Sequence, residues 1–450
     1  MHVVRRVMAA LAAEYGMALV LAVVAAGFSL ATLQEQPADG PEGGRQLARL
    51  VARRVPAGGR VLLVVRETQA DAAFASALAA GLAEARLEII ARVRGGPPDL
   101  RQALARLAAS RQSIDALAVH PAVARWPLVM DLPRHFPALR NVPVVAPRSY
   151  LWPSFLKPDN LLNIANQIAV IAIMAVGMTM VVIAGGIDLS VGSLMALAAV
   201  VATRLIRDVA GAEHAGGWAM AACCAAAIAA CGCLGWFSGV MTTLAGIPAF
   251  IATLAMMLVA SGLAYMIAEG QSVYELPDAF VWLGRGADLA GIPNAVVLML
   301  LLYVAAHLVM TRTVLGRYIY AVGGNREAAH LAGVPVRGVT MLVYVACALA
   351  AGLGGVVMAS QLKSGAPTYG QMYELYVIAA VVVGGTSLSG GEGRMFGTLL
   401  GALLIAVIQN GMNLTGVESY QQKVVLGSVI LAAVLIDRLK HLLWGRRHAA

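Results

Sequence analysis

The chain has 450 residues, 60% of them hydrophobic and only 13% charged, with a net charge of +9 and a mean hydropathy of +0.76. That charge content is about half the roughly 25% usual for soluble domains, which excludes an ordinary water-soluble enzyme. Outside one soluble stretch the arginines sit beside apolar runs, as an orientation signal does, so the basic balance does not imply nucleic acid.

Several runs of about 18 residues carry no charge, and each is long enough to cross a hydrocarbon core of about 30 Å. The expected fold class is therefore an all-α polytopic membrane protein of about ten transmembrane helices. Residues 1–16 carry Arg5 and Arg6, and 17–33 form the first apolar run. A signal peptide would share this pattern, but an uncleaved first span with a cytoplasmic N-terminus fits better. Residues 34–56, rich in Pro, Gly, Glu and Arg, read as a linker. From there to residue 150 the pattern changes. Short apolar strand runs at 60–66, 87–93, 116–119 and 142–146 alternate with helical segments at 71–85 and 99–110. This alternation predicts a small parallel α/β insertion after the first helix.

Further spans are expected near 165–184, 190–206, 218–236, 248–268, 294–311, 338–359, 374–390, 395–414 and 421–437. Two boundaries are glycine-rich, 185–190 and 384–393, and read equally as broken helices or re-entrant turns. Such backbone is tolerated in a membrane only where protein or a cavity satisfies it. Arg312, Arg317, Arg326 and Arg337 place 311–337 in the cytoplasm, and Arg438, Lys440, Arg446 and Arg447 place the tail there. Counting spans back from 311–337 puts the insertion on the outer side. The division is then 1–33 (cytoplasmic N-terminus and first span), 34–150 (extracytoplasmic linker and insertion), 151–440 (main membrane domain) and 441–450 (cytoplasmic tail). Five cysteines show no disulfide or metal pattern. Cys223, Cys224, Cys231 and Cys233 suit helix packing, and no cofactor or metal is expected.

Two stretches stand out. In Gly185-Gly186-Ile187-Asp188-Leu189-Ser190 an acid lies between long apolar runs, and a carboxylate within a membrane marks function by default. Asp188 either caps the helix that starts near Ser190 or contacts a solute. In Gly324-Asn325-Arg326-Glu327-Ala328-Ala329, Asn325 can cap a short helix with Glu327 in its first turn. Gly333 would end it and Pro335 follow. The helix is either an ordinary capped loop or a low-bulk knob for a partner's groove. Polar groups that could line a path include Asn166, Ser193, Ser261, Gln409, Asn410 and Asn413, although amides in membrane helices also serve as interhelical ties.

Several segments resemble the permease subunits of bacterial ABC importers for ribose, xylose and galactose. They are Asn-Leu-Leu-Asn-Ile at 160–164, Gly-Gly-Ile-Asp-Leu-Ser-Val-Gly-Ser at 185–193 and Pro-Ala-Phe-Ile-Ala-Thr-Leu at 248–254. The stretch 316–334 and, within 384–414, Gly-Thr-Leu-Leu-Gly-Ala and Gln-Asn-Gly-Met-Asn-Leu complete the set. In order and spacing they cover 151–440 nearly completely. The resemblance implies an inner-membrane permease forming the path for a monosaccharide. Gly324, Asn325, Glu327, Ala328, Ala329 and Gly333 would be its coupling helix, seated in a separate cytoplasmic ABC ATPase subunit. A periplasmic sugar-binding protein and a second permease subunit, identical or not, would be the other partners. The chain has no Gly-x-x-x-x-Gly-Lys-Ser/Thr signature, so it does not hydrolyse ATP by that route. Asn166, Gly185, Gly186, Asp188, Ser190, Gln409, Asn410 and Asn413 would belong to the path or its helix break. The insertion departs from the family pattern. Its order of strands and helices looks like one lobe of a periplasmic binding protein, and a docking platform, a remnant lobe and a spacer are all open. Alternatives for the whole chain are an importer of another small polar solute, such as an amino acid or a signalling sugar, and a membrane sensor using the outer domain.

Overall fold

The structure is a computed structural model and describes residues 2–110 and 113–445. Of the expected tail 441–450, residues 446–450, including Arg446 and Arg447, lie outside the described residues. The chain divides into two compact units, Leu33–Pro153 and Met1–Thr32 with Ser154–Ala450.

The smaller unit is closed by β1 (Leu33–Gln36) pairing antiparallel with β6 (Tyr150–Pro153), which brings the chain's entry and exit together. Between them lies a four-stranded sheet in the order β3-β2-β4-β5. Its members are β2 (Arg60–Val65), β3 (Glu88–Arg94), β4 (Ala116–Val119) and β5 (Val144–Val145), and every pairing is parallel. Strands β2 and β4 are apolar along most of their length because helices pack on both faces of the sheet. The linker reading of 34–56 is corrected. Those residues contain most of β1 and the helix Pro41–Ala52, whose Leu47 and Val51 are fully buried. Proline in the first turn is compatible with a helix start, and the sparse apolar side chains fall on one face. The Pro- and Gly-rich composition hid a helix.

At the C-terminal ends of β2 and β4, Arg66 holds the buried Asp71 through two bonds of 2.9 and 3.0 Å. His120 Nδ1 lies 3.8 Å from Asp71 and accepts from the Ala122 N–H. Burial would raise the Asp71 pKa, but hydrogen bonds from Arg66 and Thr68 and the nearby positive charge outweigh it and hold the group below the usual carboxylate value. Burial pushes His120 below its ordinary value despite the pull of Asp71. Both shifts act in the same direction. An unfolded His120 gains a proton near pH 6.5 while the folded one resists, so stability falls as pH drops through that value. The Asp71 contribution is lost further down, as pH falls through its depressed pKa. We expect exchange of the β2 and β4 amides, corrected for intrinsic rate, to quicken between pH 7 and 5. His120→Asn should flatten that part of the profile. An unaltered profile in the variant would remove His120 as the cause.

The larger unit is helical. Six of its helices are long and apolar enough to cross a membrane among the described residues: Pro158–Ile183, Gly217–Thr243, Ala249–Ile267, Asn294–Arg312, Val336–Leu362 and Met395–Leu414. Val191–Asp208 carries Arg204, Arg207 and Asp208 near its end, and Tyr373–Val383 is short. Pro158–Ile183 is the central helix, with 89% of its apolar window buried against 22% for Ala249–Ile267. The latter presents Phe250, Ile251, Val259 and Met266 outward, as a helix facing lipid or another apolar surface does. At the far end of Val191–Asp208, Arg204 pairs with Asp208 and Glu269 and donates to the Ile267 carbonyl, marking a polar edge of the bundle.

Candidate functional site

The acid at 188 sits where two helices break. Pro158–Ile183 ends at Ala184, Gly185 takes a left-handed φ of +80°, and Val191–Asp208 begins after Ser190. Glycine makes that turn without steric cost. Asp188 is fully buried. Its Oδ1 accepts from the Ser190 N–H at 2.9 Å and the Ser190 hydroxyl at 2.6 Å, a side-chain turn that closes the break. Among the described residues Oδ2 accepts from no N–H or O–H group, and the buried Cys347 thiol interacts with the carboxylate. Gly186 leaves room for Tyr344, because a Cβ there would lie 2.5 Å from the Tyr344 hydroxyl oxygen.

A second glycine-rich region closes on this break. The Ile183 carbonyl accepts from the Gly391 N–H at 2.8 Å. A Cβ on Gly323 would fall 1.7 Å from the same carbonyl oxygen, and one on Gly390 would lie 2.8 Å from the Gly323 oxygen and 3.0 Å from Gly185 Cα. Three segments thus meet backbone to backbone: the break, the chain just before Asn325, and the 384–393 turn. A cavity of about 250 Å³ runs from Gly185, Gly186 and Tyr344 to Arg326.

Asn325 caps the helix Arg326–Leu331, with its Oδ1 accepting from Ala328 N–H at 2.9 Å. Glu327 lies in the first turn, and Gly333, at φ +83°, follows the helix end. Gly324, Asn325, Glu327, Ala328 and Gly333 are exposed. Ala329, by contrast, is 4% exposed and belongs to the buried core with Val334 and Val336, because the inner face of so short a helix must be covered. Leu331, passed over in the sequence, is 87% exposed on the same helix. An exposed leucine at a cap-defined helix end is a signal that residue type alone could have offered.

The other path candidates are mostly engaged elsewhere. Asn160 and Asn410 exchange amide bonds of 2.9 Å across two helices. Asn166 donates to the Gly284 carbonyl at 3.2 Å and accepts from Gln361. Asn413 accepts from Gln422 at 2.7 Å. Gln409 is half-buried on the same helix as Asn410. Asn410, Asn166 and Asn413 tie segments together, and Ser190 serves the Asp188 turn. By contrast Ser193 and Ser261 line one cavity, together with Glu374, an acid the sequence reading did not single out. No group of three or more His, Cys, Asp or Glu side chains suited to a metal occurs among the described residues.

Residues 160–434 match the family described as branched-chain amino acid transport system / permease component. The chain belongs to this permease family. It is 44% identical to the ribose import permease protein RbsC of Escherichia coli K12 over 66% of this chain and 91% of that protein. Identity to the Bacillus subtilis ribose import permease protein is 43%, over 65% and 88% of the two chains. For the D-allose transport system permease protein AlsC of Escherichia coli K12 it is 35%, over 63% and 85%. No solved structure matches the chain. In this permease the break at Asp188 and the capped helix after Asn325 both fall inside the matched stretch.

Proposed function

We propose that this permease forms the translocation path for a monosaccharide in an ATP-driven importer of the inner membrane. The observation that carries the reading is the match across 91% of a protein named for ribose import, with other relatives named for allose and arabinose transport. The family description itself mentions branched-chain amino acids, so an amino acid is the second reading. ATP is hydrolysed by a separate cytoplasmic subunit that receives the helix Arg326–Leu331. Its exposed Glu327, Ala328 and Leu331 suit a groove, and the glycine junction joins its root to the Asp188 break.

In this reading Val191–Asp208, Tyr373–Val383, His2–Ala31 and Ser419–Gly445 complete ten crossings, with the Arg204 edge outside. The 34–150 insertion is extracytoplasmic, 151–440 is the transport domain, and a periplasmic sugar-binding protein and a second permease copy complete the complex. The outward apolar faces of Gly217–Thr243 and Ala249–Ile267 support that last partner. The test is reconstitution. The permease should co-purify with an ATPase, and vesicles holding both, given a binding protein, should take up labelled ribose, allose or arabinose only with ATP. Glu327→Ala should leave the complex assembled and lower uptake relative to hydrolysis. Uptake of none of these sugars, or uptake independent of ATP, would overturn the reading.

A further inference from the structure

We infer that the cavity holding Glu374 is a contact site for sugar hydroxyls on the path, with Glu374 as its principal acceptor; this rests on the monosaccharide reading above. The cavity has a volume of about 320 Å³ and is walled by Ser193, Ser261, Tyr369, Gln371 and Glu374, with Leu258 among its apolar residues. That size lies at the small end of ordinary ligand sites.

Its position follows from the backbone. Tyr373–Val383 begins after Met372, which has a left-handed φ of +69°, and Gly370, at φ +76°, comes against the start of Val191–Asp208. A Cβ on Gly192 would lie 2.4 Å from both Glu374 Oε2 and the Gly370 carbonyl oxygen. The carboxylate therefore rests on a position that only glycine leaves open. From Gly192 to Arg204, at the polar edge, the twelve intervening steps of helix span roughly 18 Å at 1.5 Å each. With that edge as the membrane boundary, Glu374 lies more than half-way into a hydrocarbon slab of about 30 Å. An acid at that depth that borders a cavity, and is not enclosed by packing, is a functional group by default.

The chemistry suits a neutral polyol. A carboxylate accepts from two neighbouring hydroxyls, and such charge-assisted bonds are stronger than neutral ones. Serine and tyrosine hydroxyls and the Gln371 amide both donate and accept, while Leu258 can cover a C–H face. An anionic solute would meet like charge. A handful of polar groups replaces lost water without holding the solute, as passage requires.

The test uses the full complex with its ATPase and a binding protein in vesicles, assayed with labelled ribose, allose and arabinose. Glu374→Ala should lower uptake tenfold or more, Glu374→Gln less, and Ser261→Ala about threefold, while ATP hydrolysis stimulated by the binding protein stays within twofold of the parent. Unchanged uptake in both Glu374 variants would overturn the inference. So would equal loss of uptake and stimulated hydrolysis in both, which marks a structural role. If the parent carries none of the three sugars, the monosaccharide reading itself fails, and that result is distinct from either outcome for the variants.

Discussion

Gly323→Ala is expected to lower the melting temperature of the purified permease in detergent sharply, whereas Gly324→Ala, one residue on, should leave it unchanged. The two glycines are neighbours at the end of one helix but face different surroundings. At 323 the added Cβ would lie 1.7 Å from the Ile183 carbonyl oxygen and 2.6 Å from the Gly391 nitrogen, all backbone, while at 324 nothing lies within 4 Å. Backbone does not move aside as a flexible side chain does. The methyl must therefore push the break and the 384–393 turn apart, and the Gly391-to-Ile183 hydrogen bond with them. Overpacking in a closed site costs about 1–3 kcal/mol, and loss of a buried hydrogen bond adds about 1 kcal/mol. In the reconstituted importer Gly323→Ala should also hydrolyse ATP with little uptake, because the junction that ties the helix Arg326–Leu331 to Asp188 is opened. Similar melting temperatures for the two variants would show that the contact is not tight.

Much of the larger unit is legible in the sequence because a membrane imposes length and the exclusion of charge. The run at 395–414 coincides with the helix Met395–Leu414, and that at 294–311 ends one residue short of Arg312. The cap at Asn325 is equally local: the donor it satisfies is three residues away. What could not be read depends on which distant segments meet. The Asn160–Asn410 pair joins residues 250 apart, and nothing in either amide distinguishes a tie from a path group. Glu374 was overlooked because its neighbours read as the start of an ordinary span. Only the fold sets it against Gly192 and opposite Ser261. The helix Pro41–Ala52 was missed for another reason: its burial depends on the sheet it covers, and its own composition argues for a loop.

The second large effect is expected at Asp188, where the choice of substitution separates two roles. Asp188→Ala removes the acceptor for both the Ser190 N–H and the Ser190 hydroxyl in a fully buried place. Each group left unsatisfied costs about 1–3 kcal/mol, so this variant should assemble poorly and transport little. Asp188→Asn keeps an oxygen at the Oδ1 position and so keeps the turn. Its amide nitrogen replaces Oδ2, which among the described residues accepts from no N–H or O–H group, so no bond of the turn is lost and the variant is expected to assemble and to retain most of the parent's uptake. The comparison is made by melting temperature and by vesicle uptake on the same preparations. If Asn proves as damaging to uptake as Ala while melting like the parent, the charge itself is needed and the acid acts on the solute or on the conformational cycle. If Asn is tolerated in both assays, the carboxylate serves the break. In the monosaccharide reading, meeting the sugar is then left to Glu374, which borders a cavity.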